Sequence, residues 1–204
     1  MNQMRRLLLT LPALVLALPA AAEPIALASL NAYLNSFATA RAAFTQINTD
    51  GSVSTGTLYL ARPGRARFEY DLPSPALVVA GSGQVAVFDR KSNVPPEQFA
   101  LDRTPLSIIL APRVDLARPG VVERHVSDGS TTAVVARDPE RPEFGSLMMV
   151  FSDNPVALRQ WVIADEAGGE TTVILGEMRT GLALDDGLFS IAREIARLPA
   201  QLNR

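Results

Sequence analysis

What most constrains this chain is a change of period. Leu27, Leu30, Leu34 and Phe37 follow helical spacing and form one face of an amphipathic helix opened by Pro24. Ser29, Asn31 and Asn35 are among its small or polar remaining positions. From Phe44 onward the period drops to two, and short strand-like segments alternate with turn signals. Asp50-Gly51 and Gly56 bound the first strands, and Pro63-Gly64 separates the next two. Further strands are expected at Leu77–Ala80, Val85–Asp89, Val121–Val126, Thr131–Arg137, Leu147–Phe151, Ala157–Asp165 and Thr171–Met178. Between them, Gly81-Ser82-Gly83, Asp128-Gly129, Asp153-Asn154-Pro155 and Gly168-Gly169 recur at hairpin spacing, which favours an antiparallel meander.

One helical interruption is expected, with Thr104 as N-cap, Pro105 at the first helical position, Leu106, Ile109 and Leu110 on its apolar side, and Pro112 as its stop. Ile191–Leu198 reads as a further helix ending at Pro199. The segment from Arg113 to Gly120 is loop-like but short, and no repeat or composition shift divides the chain. Residues 23–204 therefore read as one domain, mainly β with a few helices.

The N-terminus stands apart. Arg5 and Arg6 precede an apolar run from Leu7 to Leu18, followed by Pro19-Ala20-Ala21-Ala22. This is the layout of a secretory signal peptide, with cleavage expected after Ala22. The run is well short of the ~20 residues that span a bilayer, which makes an anchor the weaker reading. Removing Met1–Ala22 takes two arginines with it and leaves a chain more acidic than the formal −2 of the whole.

Composition then excludes several chemistries. With no cysteine there is no disulfide framework, thiolate site or thiol nucleophile, and one histidine cannot build a multi-histidine metal site. Near-neutral charge gives no electrostatic footprint for nucleic acid. Lys91 is the single lysine among 19 basic residues, as in GC-rich genomes. Together with the missing cysteines it favours a bacterial periplasm over a eukaryotic secretory route. His125 reads as an ordinary strand residue, since no nucleophile or orienting acid is arranged around it. Asp185-Asp186 reads as a solvated turn, Trp161 as packing, Met148-Met149 as strand burial and Gly81-x-Gly83 as a hairpin turn. No catalytic residue, metal ligand or cofactor is expected.

The hairpin from Gly56 to Tyr70 carries the sharpest signal. Alternate strand residues share a face. Ala66, Phe68 and Tyr70 face one way and Arg65, Arg67 and Glu69 the other, apolar in and charged out. On the preceding strand Leu58 and Leu60 share a face, and Arg62 stays in register with them. Either Arg62 snorkels to water from the strand's end, or it points inward and is satisfied by carbonyls of an overlying element.

The segments Phe44-Thr45-Gln46, Arg62-Pro63-Gly64, Arg67-Phe68-Glu69-Tyr70 with Pro73, Gly83-Gln84-Val85-Ala86-Val87-Phe88-Asp89, and Thr104-Pro105-Leu106 with Ile109-Leu110 resemble, in order, the periplasmic outer-membrane lipoprotein carrier protein (LolA) family. The resemblance implies an unclosed antiparallel β-barrel whose apolar cavity is covered by helices. It implies a periplasmic carrier in a Gram-negative bacterium, acting as a monomer. Such a carrier takes the acyl chains of lipoproteins from an ATP-driven inner-membrane transporter to an outer-membrane receptor. The family's lid-holding arginine matches Arg62. Leu58, Leu60, Phe68, Tyr70, Leu106, Ile109 and Leu110 are then cavity and lid residues, with Leu27, Leu30 and Leu34 on the lid helix. There are two departures. Ala66 replaces an aromatic implicated in transporter contact, and the C-terminus is helical and basic rather than extended. A carrier of another lipid, or a sensor module on the same fold, is the alternative; an enzyme lacks convergent acid, base and nucleophile.

Overall fold

The computed structural model describes residues 23–92, 94–166 and 168–202, without the side chains of 199–202. The expected signal peptide lies outside the described residues. A helix, α1 (Leu27–Asn35), precedes six strands: β1 (Thr39–Ile47), β2 (Val53–Ala61), β3 (Arg65–Tyr70), β4 (Ala76–Gly81), β5 (Gln84–Asp89) and β6 (Glu97–Ala100). A one-turn helix, α2 (Leu106–Ile109), lies on the way to β7 (Val122–Ser127), β8 (Thr131–Ala136), β9 (Ser146–Ser152), β10 (Ala157–Ala164), β11 (Glu170–Leu175) and β12 (Arg179–Thr180). The described chain ends in α3 (Ile191–Leu202).

All pairings are antiparallel, in the order β6-β5-β4-β3-β2-β1-β11-β10-β9-β8-β7, with β12 beside β1. The two edge strands, β6 and β7, follow one another in the chain but do not pair. The sheet is thus an unclosed barrel, and the stretch joining its edges, which contains α2, must cross the open side. Side chains from both halves of the sheet meet α1 and α2 in one apolar cluster, which shows how far the sheet curls. Phe44 packs edge-on against Phe68 and Tyr70 at 5.5 and 5.1 Å, and Phe68 against Trp161 at 6.2 Å. Alternation is clean on β9, where Leu147, Met149 and Phe151 are fully buried.

Local details correct the expectations. Gly56 does not bound a strand; it lies inside β2, where a Cβ would fall 2.1 Å from the Glu69 carbonyl oxygen and 2.8 Å from the Phe44 ring. Its role is close approach, not a turn. Thr104 does not cap α2: Pro105 holds the cap position, and the Thr104 hydroxyl donates to the Leu101 carbonyl at 2.9 Å. Phe37 is buried but lies beyond the end of α1. β6 and β12 are additional strands, one short and exposed after two prolines, the other of two residues.

The largest correction concerns the outer face of the sheet. Arg67, expected in solvent, is 4% exposed because α3 lies across β3 and β4. Leu198 and the partly buried Ile191 of α3 join Leu77, Val79, Ala86 and Phe88 in a second, smaller core. The helix runs through Pro199 instead of ending there, since a proline removes one hydrogen bond and bends a helix without having to stop it. Arg67 donates to Glu69 at 2.7 Å, to the Leu188 carbonyl at 3.0 Å and to Glu194 at 3.2 Å, and Arg197 adds a 2.9 Å bond to Glu194. Glu194 is 5% exposed. Removing one member of a buried pair strands the other, at a cost of about 3–5 kcal/mol. Arg67 keeps two partners, so Glu194→Ala should cost about 3 kcal/mol in urea unfolding and Glu194→Gln clearly less. An Ala variant as stable as the parent would contradict this docking of α3.

Candidate functional site

Arg62 is the first residue after β2 and continues its inward face, because Leu58 and Leu60 precede it at alternate positions. The guanidinium is not in water: the residue is 7% exposed. Nη2 donates to the carbonyl oxygen of Leu34 and, at 2.8 Å, to that of Phe37, and the guanidinium carbon stands 4.9 Å above the Phe37 ring. Leu34 belongs to the last turn of α1, where helix carbonyls lack intrahelical donors and carry partial negative charge. A cation is the natural cap there. The Arg62 backbone N–H adds a 2.8 Å bond to Ala38. Nε is buried without a hydrogen-bond partner, and burial lowers the pKa of the group from its ordinary value. Of the two readings left open by register, the inward one is correct.

The same turn is bonded to the second covering helix. Gly64, at φ +67, donates its N–H to the Leu110 carbonyl at the end of α2, at 2.8 Å. Farther along the open side, Arg141 is bonded to Asp102 at 2.5 Å and Arg103 sits 4.9 Å over the Phe144 ring. These contacts join the crossing stretch to the β8–β9 connection. At the far end of α1, the Ile25 N–H donates to the Thr132 hydroxyl and His125 Nε2 lies against the Ile25 carbonyl, both at 2.9 Å. His125 is a strand residue that holds the lid's leading end. Asp185 accepts from the Gly187 N–H at 2.7 Å and caps a short turn, so the Asp185-Asp186 pair is structural.

Beneath the lid, Leu58, Leu60, Phe68, Leu106, Ile109, Leu110, Leu30 and Leu34 are all buried in one cluster, with Leu27 and Tyr70 partly buried against it. The structure thus brings every expected cavity and lid residue together. Where a cavity was expected, the side chains of the helices pack against those of the sheet. Ala66 is 2% exposed, on the inner face between Leu60 and Ala80, and offers nothing to the surface. The roles of Asn31 and Asn35, read as merely polar positions, were missed; both reach the stretch after α2.

The geometry is that of an open antiparallel barrel whose apolar inner face is covered by helices, with a buried arginine bonded to the first of them. The chain belongs to the outer membrane lipoprotein carrier protein LolA family, whose model matches residues 35–192. It is a lipoprotein carrier. A protein from Methylococcus capsulatus named outer-membrane lipoprotein carrier protein is 27% identical over 92% of this chain and 93% of its own length. One of the same name from Chromobacterium violaceum is 26% identical over 91% of this chain and 92% of its own. Among solved structures, a LolA superfamily protein from Nitrosomonas europaea aligns with a TM-score of 0.45 at 8% identity, covering 80% of this chain and 95% of that one.

Tyr70 gives the site a pH signature. Burial pushes its hydroxyl up to about 12. The hydroxyl donates to Gln46 Oε1 at 2.6 Å. In the unfolded chain it titrates near its ordinary 10.0. Between these values the unfolded state has lost a proton that the folded state retains, so stability falls as pH rises through this window. Of the three tyrosines, one should therefore ionise late in an ultraviolet absorbance titration of folded protein, and Tyr70→Phe should remove that step. The absence of that late step from the parent protein's titration would contradict it.

Proposed function

We propose that the mature chain, residues 23–204, works in the periplasm of a Gram-negative bacterium as a monomeric carrier domain. It takes lipoprotein acyl chains from an ATP-driven inner-membrane transporter, shelters them inside the barrel and yields them to an outer-membrane receptor. The observation that carries this reading is the buried Arg62, tying α1 over one continuous apolar cluster in a chain of the lipoprotein-carrier family. The chain performs no chemical step in this proposal, and the cargo is lipoprotein; a carrier of another lipid and a sensor module are not favoured.

The energetics suit the task. Burying an acyl chain contributes ~0.8 kcal/mol per CH₂, on the order of 10 kcal/mol for a long chain. A cargo held that firmly leaves only if the empty state is itself stabilised. Closing the lid does this by burying Leu30, Leu34, Leu106 and Ile109 where the chain had been. Arg62 adds charge-assisted bonds of about 1.5–3 kcal/mol each to that closed state. The Ala66 position becomes accessible to a partner when the lid opens.

Arg62→Leu should therefore favour the open, loaded state. With a triacylated lipopeptide as cargo, transfer to an outer-membrane acceptor should fall about tenfold or more, as expected for the loss of one to two such bonds. In the empty variant, acrylamide quenching of Trp161, the only tryptophan and 1% exposed, should increase. Transfer and quenching both as in the parent would remove Arg62 from the lid mechanism.

A further inference from the structure

The lid is made of two pieces far apart in sequence, α1 and the stretch that follows α2. Both are fastened at one turn: Arg62 holds the carbonyl of Leu34, and the Gly64 N–H holds that of Leu110. Between the two pieces runs a set of bonds that neither the fold nor the arginine requires. Asn35 Oδ1 accepts from the Val114 N–H at 2.9 Å while its Nδ2 donates to the Val114 carbonyl at 2.8 Å. One turn earlier, Asn31 Oδ1 accepts from the Leu116 N–H at 2.8 Å and its Nδ2 donates to Asp115 at 3.3 Å. Residues four apart on a helix lie on the same side, so the two amides make a row along α1. The residues they hold follow strand periodicity. Val114 and Leu116 are 2% and 1% exposed in the same cluster as Leu30 and Leu34, while Arg113 and Asp115 face out.

An asparagine side chain presents one donor and one acceptor in a plane, as a peptide group does. Asn35 therefore pairs with Val114 as a neighbouring strand would, and a helix is edge-matched to an extended segment without a third strand. We infer that Asn31 and Asn35 are positioning residues that make α1 and residues 113–116 a single lid body, so that the interior is uncovered in one step. This rests on reading α1 and α2 as the lid. Opening by α1 alone would break the bonds to Val114 N–H, Val114 C=O and Leu116 N–H together, whereas joint opening keeps all three. Release of Arg62 at one end is thereby communicated to the segment that crosses the open side of the barrel.

The test is native-state amide exchange, read residue by residue on cargo-free protein at low denaturant. The Leu30 amide, bonded to the Ala26 carbonyl at the N-cap of α1, should share one opening isotherm with the Val114 and Leu116 amides, the derived opening constants agreeing within about threefold. In Asn31→Ala/Asn35→Ala they should separate by about tenfold or more, with the barrel amide of Gly176, bonded to Ala43, unchanged. Asn35→Asp, which keeps the acceptor for Val114, should couple more strongly than Asn35→Ala. Separate isotherms in the parent protein overturn the inference whether or not the variants fold. Since no cargo is present, a failure of the transfer experiment above leaves this result intact, and the reverse also holds.

Discussion

Everything in this molecule turns on a guanidinium placed where water is absent. Burying a cation costs several kilocalories per mole. The carbonyls of Leu34 and Phe37 and the face of the Phe37 ring repay part of that cost, and Nε is left with no hydrogen bond at all. A cation with a perfect set of partners would be a permanent bolt, and one with none would not be buried. In the proposed function Arg62 lies between, holding α1 while the barrel is empty and yielding to an acyl chain worth on the order of 10 kcal/mol.

The sheet's topology explains why a lid exists. A closed barrel removes its edges, but an interior sealed by strands on all sides has no door. Here β6 and β7 remain apart, and the chain between them crosses the opening. The cover is thus part of the main chain, tethered at both ends, and α1 supplies the rest. On the convex side α3 and the Arg67–Glu194 pair cover β3 and β4.

Much of this was legible in sequence where a single period governs. Strands half-buried on one face show alternation, which made the hairpins and the register of Leu58, Leu60 and Arg62 readable. What failed were residues whose burial is imposed by something distant. Arg67 alternates as a solvent-facing residue should, and only the return of α3 more than a hundred residues later covers it. Gly56 resembles a turn glycine until the Phe44 ring is seen against it. Asn31 and Asn35 carry no periodic signal, because their partners, Val114 and Leu116, lie about eighty residues away in a segment with no regular structure. β6 is too short and too exposed to show a pattern.

The central claim is that cargo and lid compete for the same interior, so that loading must move α1 away from the sheet. The absence of native cysteine allows it to be measured directly with spin labels at Ala28→Cys on the outer side of α1 and Ile174→Cys on the exposed side of β11. Pulsed electron–electron double resonance should show a single distance in the empty protein. It should lengthen by several ångströms with a triacylated lipopeptide bound, and return on transfer to an acceptor. A distance that stays the same while the lipopeptide is demonstrably bound would mean that the interior is not where the cargo goes.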